Sequence, residues 1–304
     1  MPTSPWTLIK ETVMAFIDDE ALGRGAAIAF YAVISLGPVL LLVIAIAGLV
    51  FGGDAATGAI VSQFSHLMGQ QSAELLQSVV KNAAEQRSGT LAAILSVIML
   101  LVTASGVFSE MQSALNAFWK VEAKGSAVSR LVRARAASLG LVAAMGLLLL
   151  GSLVISAGLA AVSGYINASV PFASLFLQLI NFVISLALIS ALFAAIYKVL
   201  PDKQLDWRDV TIGAIATALL FNLGKLLVGL YIGSSSVASS YGAAGALIIV
   251  LLWIYYSAQI FLLGAEFTKV YAAHRETEQL KFRPVQDRGS DTSANARAVA
   301  APRT

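Results

Sequence analysis

Residues 221–233 read FNLGKLLVGLYIG, a run suited to hydrocarbon that nevertheless holds one ammonium group, that of Lys225. An ammonium is a compact point charge with three donors, and in a dry site it can bind an anion. A lone one costs roughly 2.5–3.5 kcal/mol on insertion scales, so retaining it for packing alone is unfavourable. Other polar side chains fall on shared helical faces within apolar stretches, at about 100° per residue. Asn222 lies one turn before Lys225; Gln178 and Asn181 share a face with Ser185; Tyr255 and Gln259 share one with Tyr241, Tyr256 and Glu266; Glu110 shares one with Thr103, Gly106 and Ser113. Comparable depths group Lys225, Asn222, Asn181, Gln178, Tyr255 and Gln259 into a candidate substrate pocket, with Glu110 and Glu266 nearer the inner mouth. At 1.5 Å per residue Lys225 stands roughly 21 Å from the inner end of its span, whereas Glu266 sits close to that end, so the two are too far apart to pair. The competing reading is that each polar group hydrogen-bonds one helix to another.

Several chemistries are excluded by residue type. Cysteine is absent, which removes disulfides, thiol nucleophiles and Cys-based metal sites. The two histidines, His66 and His274, fall on opposite sides of the topology below, so no metal site can be assembled from them. Glu122, Asp202, Asp206 and Asp209 are scattered among basic loop residues and form no acid–base pair. Gly23-Arg24-Gly25 lacks the preceding strand and the third glycine of a dinucleotide fingerprint. Asn167-Ala168-Ser169 is a glycosylation triplet in form only. No cofactor, no nucleic-acid partner and no enzymatic activity are expected.

The elements that must position these groups follow from composition. Hydrophobic residues make up 58% of the 304 and charged residues 12%, against about 25% charged in soluble chains, so this is an integral membrane protein. A bilayer core of roughly 30 Å requires about 20 apolar residues per helix. Six stretches meet that, near 26–51, 90–110, 136–163, 172–200, 210–232 and 243–267. The expected fold is therefore all-α, six transmembrane helices in a bundle with amphipathic interfacial helices. Lys and Arg concentrate before span 1, after span 2, between spans 4 and 5 and after span 6, which by the positive-inside rule makes both termini cytoplasmic. Trp6, Trp119 and Trp207 at inner ends and Tyr165, Tyr231 and Tyr241 at outer ends agree as interfacial anchors.

Three segments lie outside the spans. Within 1–25, Leu8, Ile9, Val13, Phe16 and Ile17 recur at helical spacing after Ser4-Pro5, the pattern of a cytoplasmic interfacial helix. The transmembrane domain occupies 26–271, with an outer amphipathic cap at 52–89. From 272 to 304 the chain turns polar and is expected to be a disordered cytoplasmic tail.

Four stretches carry a family resemblance: GRGAAIAFYAVISLGPVLLLVIAIAG (23–48), SGVFSEMQSALNAFWKV (105–121), YKVLPDKQLDWRDVTIGAIATALLFNLGKLLVGLYI (197–232) and SSYGAAGALIIVLLWIYYSAQIFLLGAEFTKVY (239–271). They resemble the YihY/virulence factor BrkB family of bacterial inner-membrane proteins, most specifically through Tyr-Lys-x-x-Pro before span 5 and Gly-Ala-Glu closing span 6. The resemblance implies a six-helix protein of the bacterial cell inner membrane. It brings two older labels, ribonuclease BN and serum resistance, and no catalytic residues. The residues argue against the ribonuclease. The leading expectation is a transporter or permease-like protein of envelope maintenance, handling an anionic or amphiphilic small molecule or lipid. The alternative is a non-transporting scaffold of the cell envelope whose interfacial helices meet partners or membrane lipids.

Overall fold

The computed structural model describes residues 4–52, 57–58, 61–62, 65, 73–78, 81, 106–121, 140, 173–234 and 237–282, and these are helical apart from short connections. Helix α1 covers Pro5–Asp18, α2 Ala21–Phe51, α3 106–118, α4 Ala173–Val199, α5 Trp207–Ser234 and α6 Val237–Phe282. The fold is all-α among the described residues. Among the described residues three helical stretches are long and apolar enough to cross a membrane, Phe182–Val199, Trp207–Val228 and Ala244–Gln279, and Ala21–Gly37 is a shorter apolar one. The predicted span at 90–110 is described only from residue 106, and that at 136–163 only at residue 140. The remainder of both lies outside the described residues, as does most of the 52–89 cap. Of that cap, residues 73–78 are helical and set Leu76 against Leu36, Leu40 and Ile44 of α2.

The tail expectation is corrected in part. Helix α6 does not end near 267 but continues to Phe282, so residues 272–282 of the predicted disordered segment are helical. Polar composition pointed to disorder because the chain by itself offers those residues no apolar surface to bury. Neighbouring elements supply the missing partners: α1 runs along α6, with His274 Nε2 2.6 Å from Glu11 Oε2, and Arg275 pairs with Asp206 and Asp209 at the start of α5. Residues 283–304 lie outside the described residues.

The core gathers at the end of the bundle where α1, the start of α5 and the end of α6 meet. Phe118, Tyr197, Leu200, Val210, Ala214, Ala218 and Leu262 are buried there in one apolar cluster. The α5–α6 seam is made of small residues. A Cβ on Gly213 would fall 1.8 Å from Thr268 Oγ1, and one on Gly264 would fall 1.9 Å from Thr217 Oγ1. Glycine at these positions lets the two backbones approach, which in a membrane replaces a hydrophobic driving force with close van der Waals contact. Each threonine hydroxyl is kept satisfied by its own helix, Thr217 on the Gly213 carbonyl and Thr268 on the Gly264 carbonyl, both at 2.7 Å. On the other side of α5, Leu219, Leu223, Leu226, Leu227 and Leu230 are exposed, the surface a bilayer would cover.

Candidate functional site

Antiparallel packing of α5 on α6 sets the depth of each polar group. Gly213 faces Thr268, Thr217 faces Gly264 and Gly224 faces Tyr256, so Lys225 stands level with Tyr255 and Tyr256. Glu266 lies about ten residues further along α6, roughly 15 Å away at 1.5 Å per residue. Lys225 is half-buried on the side of α5 away from the leucines, and it has neither a hydrogen bond nor an ion pair with another described residue. Asn222, one turn before it, donates through Nδ2 to the Ala218 carbonyl at 2.9 Å and is thereby satisfied within its own helix. Tyr255 is half-buried at the same level. Its neighbour Tyr256 lays its ring over Gly224, where a Cβ would sit 1.1 Å from the hydroxyl oxygen, and donates to the Leu220 carbonyl at 3.4 Å. Gly224 therefore admits a tyrosine hydroxyl next to the lysine's own backbone.

The remaining predicted pocket residues divide. Gln178 and Asn181 belong to α4, and their side chains lie outside the described residues. Gln259 reaches across to α2, where Nε2 donates to the Leu22 carbonyl at 3.3 Å and Oε1 is buried with no partner among the described residues. Gly25 makes room for it, since a Cβ there would meet Nε2 at 2.2 Å. Glu110 is half-buried on α3, about 12 Å along that helix from Phe118.

Glu266, placed by sequence at an inner mouth, proves to be the centre of a buried ionic cluster. Its side chain is 0% exposed; Oε2 accepts from Lys269 Nζ at 2.9 Å, and Oε1 is buried without a partner among the described residues. The same Lys269 ammonium donates to Asp19 Oδ2 and rests 5.9 Å from the centre of the Phe118 ring on α3. Asp19 arrives through a specific turn. It caps the end of α1 with its N–H on the Ala15 carbonyl, and Glu20 then takes a left-handed conformation, φ 54°, before α2 begins. Arg24 Nε holds the Asp19 carbonyl at 3.1 Å, fixing the reversal. Burial pushes the Asp19 carboxyl upward, but hydrogen bonds from Lys269 and Glu266 and the charges of Lys269 and Lys120 outweigh it and leave the group below its ordinary 3.8.

Sequence reasoning missed Asp19 and Lys269. The i,i+3 spacing of Glu266 and Lys269 was a legible signal, since such residues neighbour each other on a helix. Asp19 offered none, because its contact spans 250 positions. Of the acidic residues judged scattered, Glu122 lies outside the described residues and the other three are partnered. Asp206 and Asp209 both bind Arg275, and Asp202 is clasped by Asn116, whose Nδ2 donates to its carboxylate at 2.8 Å while Oδ1 accepts its N–H at 2.9 Å. The Tyr-Lys-x-x-Pro segment is structural as well. Tyr197 is fully buried and donates to the Phe261 carbonyl at 2.7 Å, with Thr217 Oγ1 at 3.1 Å, and Lys198 donates to the Leu205 carbonyl beneath Trp207.

Comparison with known proteins agrees with this helical membrane architecture. The chain matches the family described as Virulence factor BrkB over residues 12–290, and it belongs to that family. Among curated relatives it is 32% identical over 187 residues to a UPF0761 membrane protein of Klebsiella pneumoniae, covering 59% of this chain and 65% of that one. It is 30% identical over 205 residues to a UPF0761 membrane protein of Idiomarina loihiensis, covering 66% of each. A third, from Psychrobacter, is 25% identical over 258 residues, 83% of this chain and 46% of the relative. The chain thus spans about half to two thirds of the length of the curated relatives it matches. No solved structure matches it.

Proposed function

We propose that this member of the BrkB family is a permease-like protein of the bacterial inner membrane that binds an anionic or amphiphilic small molecule or lipid at Lys225. One observation carries the reading: a half-buried ammonium within an apolar helix, partnerless among the described residues, level with Tyr255 and Tyr256. Intramembrane cations are costly and mark substrate or ion pathways when not paired. The Nδ2 of neighbouring Asn222 is bonded within its own helix, and the carboxylate of Glu266 is held about 15 Å away by Lys269. The proposal places six spans in the membrane with both termini cytoplasmic, so that the α1 end of the bundle is the inner face and Lys225 lies towards the outer one. Asn181 and Gln178 of α4 are assigned to the same pocket.

The test is a pair of substitutions read two ways. Lys225→Met keeps the apolar stem and removes the charge; Lys225→Arg keeps the charge. Binding predicts that Lys225→Met melts in detergent like wild type yet fails to complement a strain lacking the gene, while Lys225→Arg complements in part. Full complementation by Lys225→Met with normal melting would remove the transport reading and leave the envelope scaffold.

A further inference from the structure

We propose that Asp19 and Glu266 together hold one exchangeable proton at the α1 end of the bundle.

The geometry carries it. Both carboxyls accept from a single ammonium, that of Lys269, which brings them together around one cation. Glu266 is 0% exposed, and its Oε1 has no donor among the described residues. With both acids ionised, the site would carry one negative charge in surplus and a bare carboxylate oxygen in a buried place, both unfavourable. One proton removes both defects. It cancels the surplus charge and converts a carboxylate oxygen from an acceptor without a donor into a hydroxyl that can itself donate. Two carboxyls forced into one site behave this way generally, since like charges that close cannot both persist.

The surroundings leave the proton few rivals. On α6 the facing charge is Lys269, already shared between the two acids. From the α1–α2 turn, Arg24 is spent on the Asp19 carbonyl rather than its carboxylate. From α3, Phe118 offers a ring and Lys120 acts on Asp19 through its charge. At this level α5 contributes Gly213 and Thr217, and Asp209, near its start, is taken by Arg275. The low position of Asp19 agrees, because it is the member that stays ionised while its neighbour donates to it.

The protonated-carboxyl C=O stretch of the purified full-length protein, followed by infrared spectroscopy across pH in lipid bilayers, tests the site directly. The expected result is a band that weakens as pH rises, is lost in Glu266→Gln and titrates at a different pH in Asp19→Asn. Isotopic labelling of glutamate in the unaltered protein should shift the same band, which assigns it even if a variant fails to fold. A spectrum without a protonated carboxyl above the acid range, or a band indifferent to both substitutions and to the label, overturns the proposal. The band is read with no substrate present. Its absence therefore sinks the proton site whatever Lys225 does, and a failed complementation test at Lys225 leaves the band untouched.

Discussion

The two halves of α5 obey different rules. In the half nearest α1, Gly213, Ala214, Thr217 and Ala218 are buried, Thr217 bonds its own i−4 carbonyl and Asp209 pairs with Arg275. Past Phe221 the helix shows leucines outward, and its one cation, Lys225, pairs with no described residue. Both halves carry polar atoms in an apolar element, but only the first spends them on assembly. In hydrocarbon a satisfied hydroxyl or ion pair is part of the packing, whereas an unpaired ammonium is costly and adds nothing to it. The comparison separates residues that hold the bundle from residues available for function, and it can be attacked from either side.

The most disruptive test is Lys269→Met, which strips Asp19 and Glu266 of their shared cation. Breaking a buried pair by removing one partner costs about 3–5 kcal/mol, and the partial exposure of Lys269 and Asp19 puts the expectation near the lower figure. A large fall in melting temperature in detergent is expected; an unchanged one would make the near half as loosely held as the far one. The same cluster has a pH signature. Folding lowers the Asp19 carboxyl, so its stabilisation is complete above the ordinary 3.8 and disappears as pH falls through the folded value. Melting temperature should drop on acidification through that range, and Asp19→Asn should flatten the profile.

An intermediate effect is expected at the seam. Gly213→Ala drives a methyl into Thr268 Oγ1, and overpacking of this kind costs about 1–3 kcal/mol. Adding Thr268→Ala should restore most of the loss, because that hydroxyl bonds only its own helix. Additive losses in the double variant would show that the glycine is not there for approach.

The smallest effect belongs to the far half. Leu223→Ala, on the exposed face, should change stability by no more than about 0.5 kcal/mol. A loss of several times that size would mean that a protein surface, rather than lipid, covers the leucines.

How much of this was legible in the chain varies with the range of the interaction. The alternation of leucines and small residues along α5 identified its buried face, because a helix's periodicity is local and burial follows it. The apolar face of α1 was equally readable, and Ile9, Val13 and Ile17 do point outward. The run of α6 to Phe282 was not, since residues 272–282 are held by Glu11, Asp206 and Asp209 from distant segments. Gln259 was assigned to the lysine's pocket by depth, yet it turns to α2; two helical faces at one depth need not face the same neighbour.

From its residue order alone the chain determined that it is a helical membrane protein without thiol chemistry, and where its rare intramembrane charges stand, because composition and helical periodicity are properties of the sequence itself. Only the tertiary structure decided which of those charges are free. Pairing Glu266 with Lys269 and with Asp19, 250 positions from that lysine, required α1 to fold back along α6, and that contact is what distinguishes a buried ion cluster from the solitary cation at Lys225.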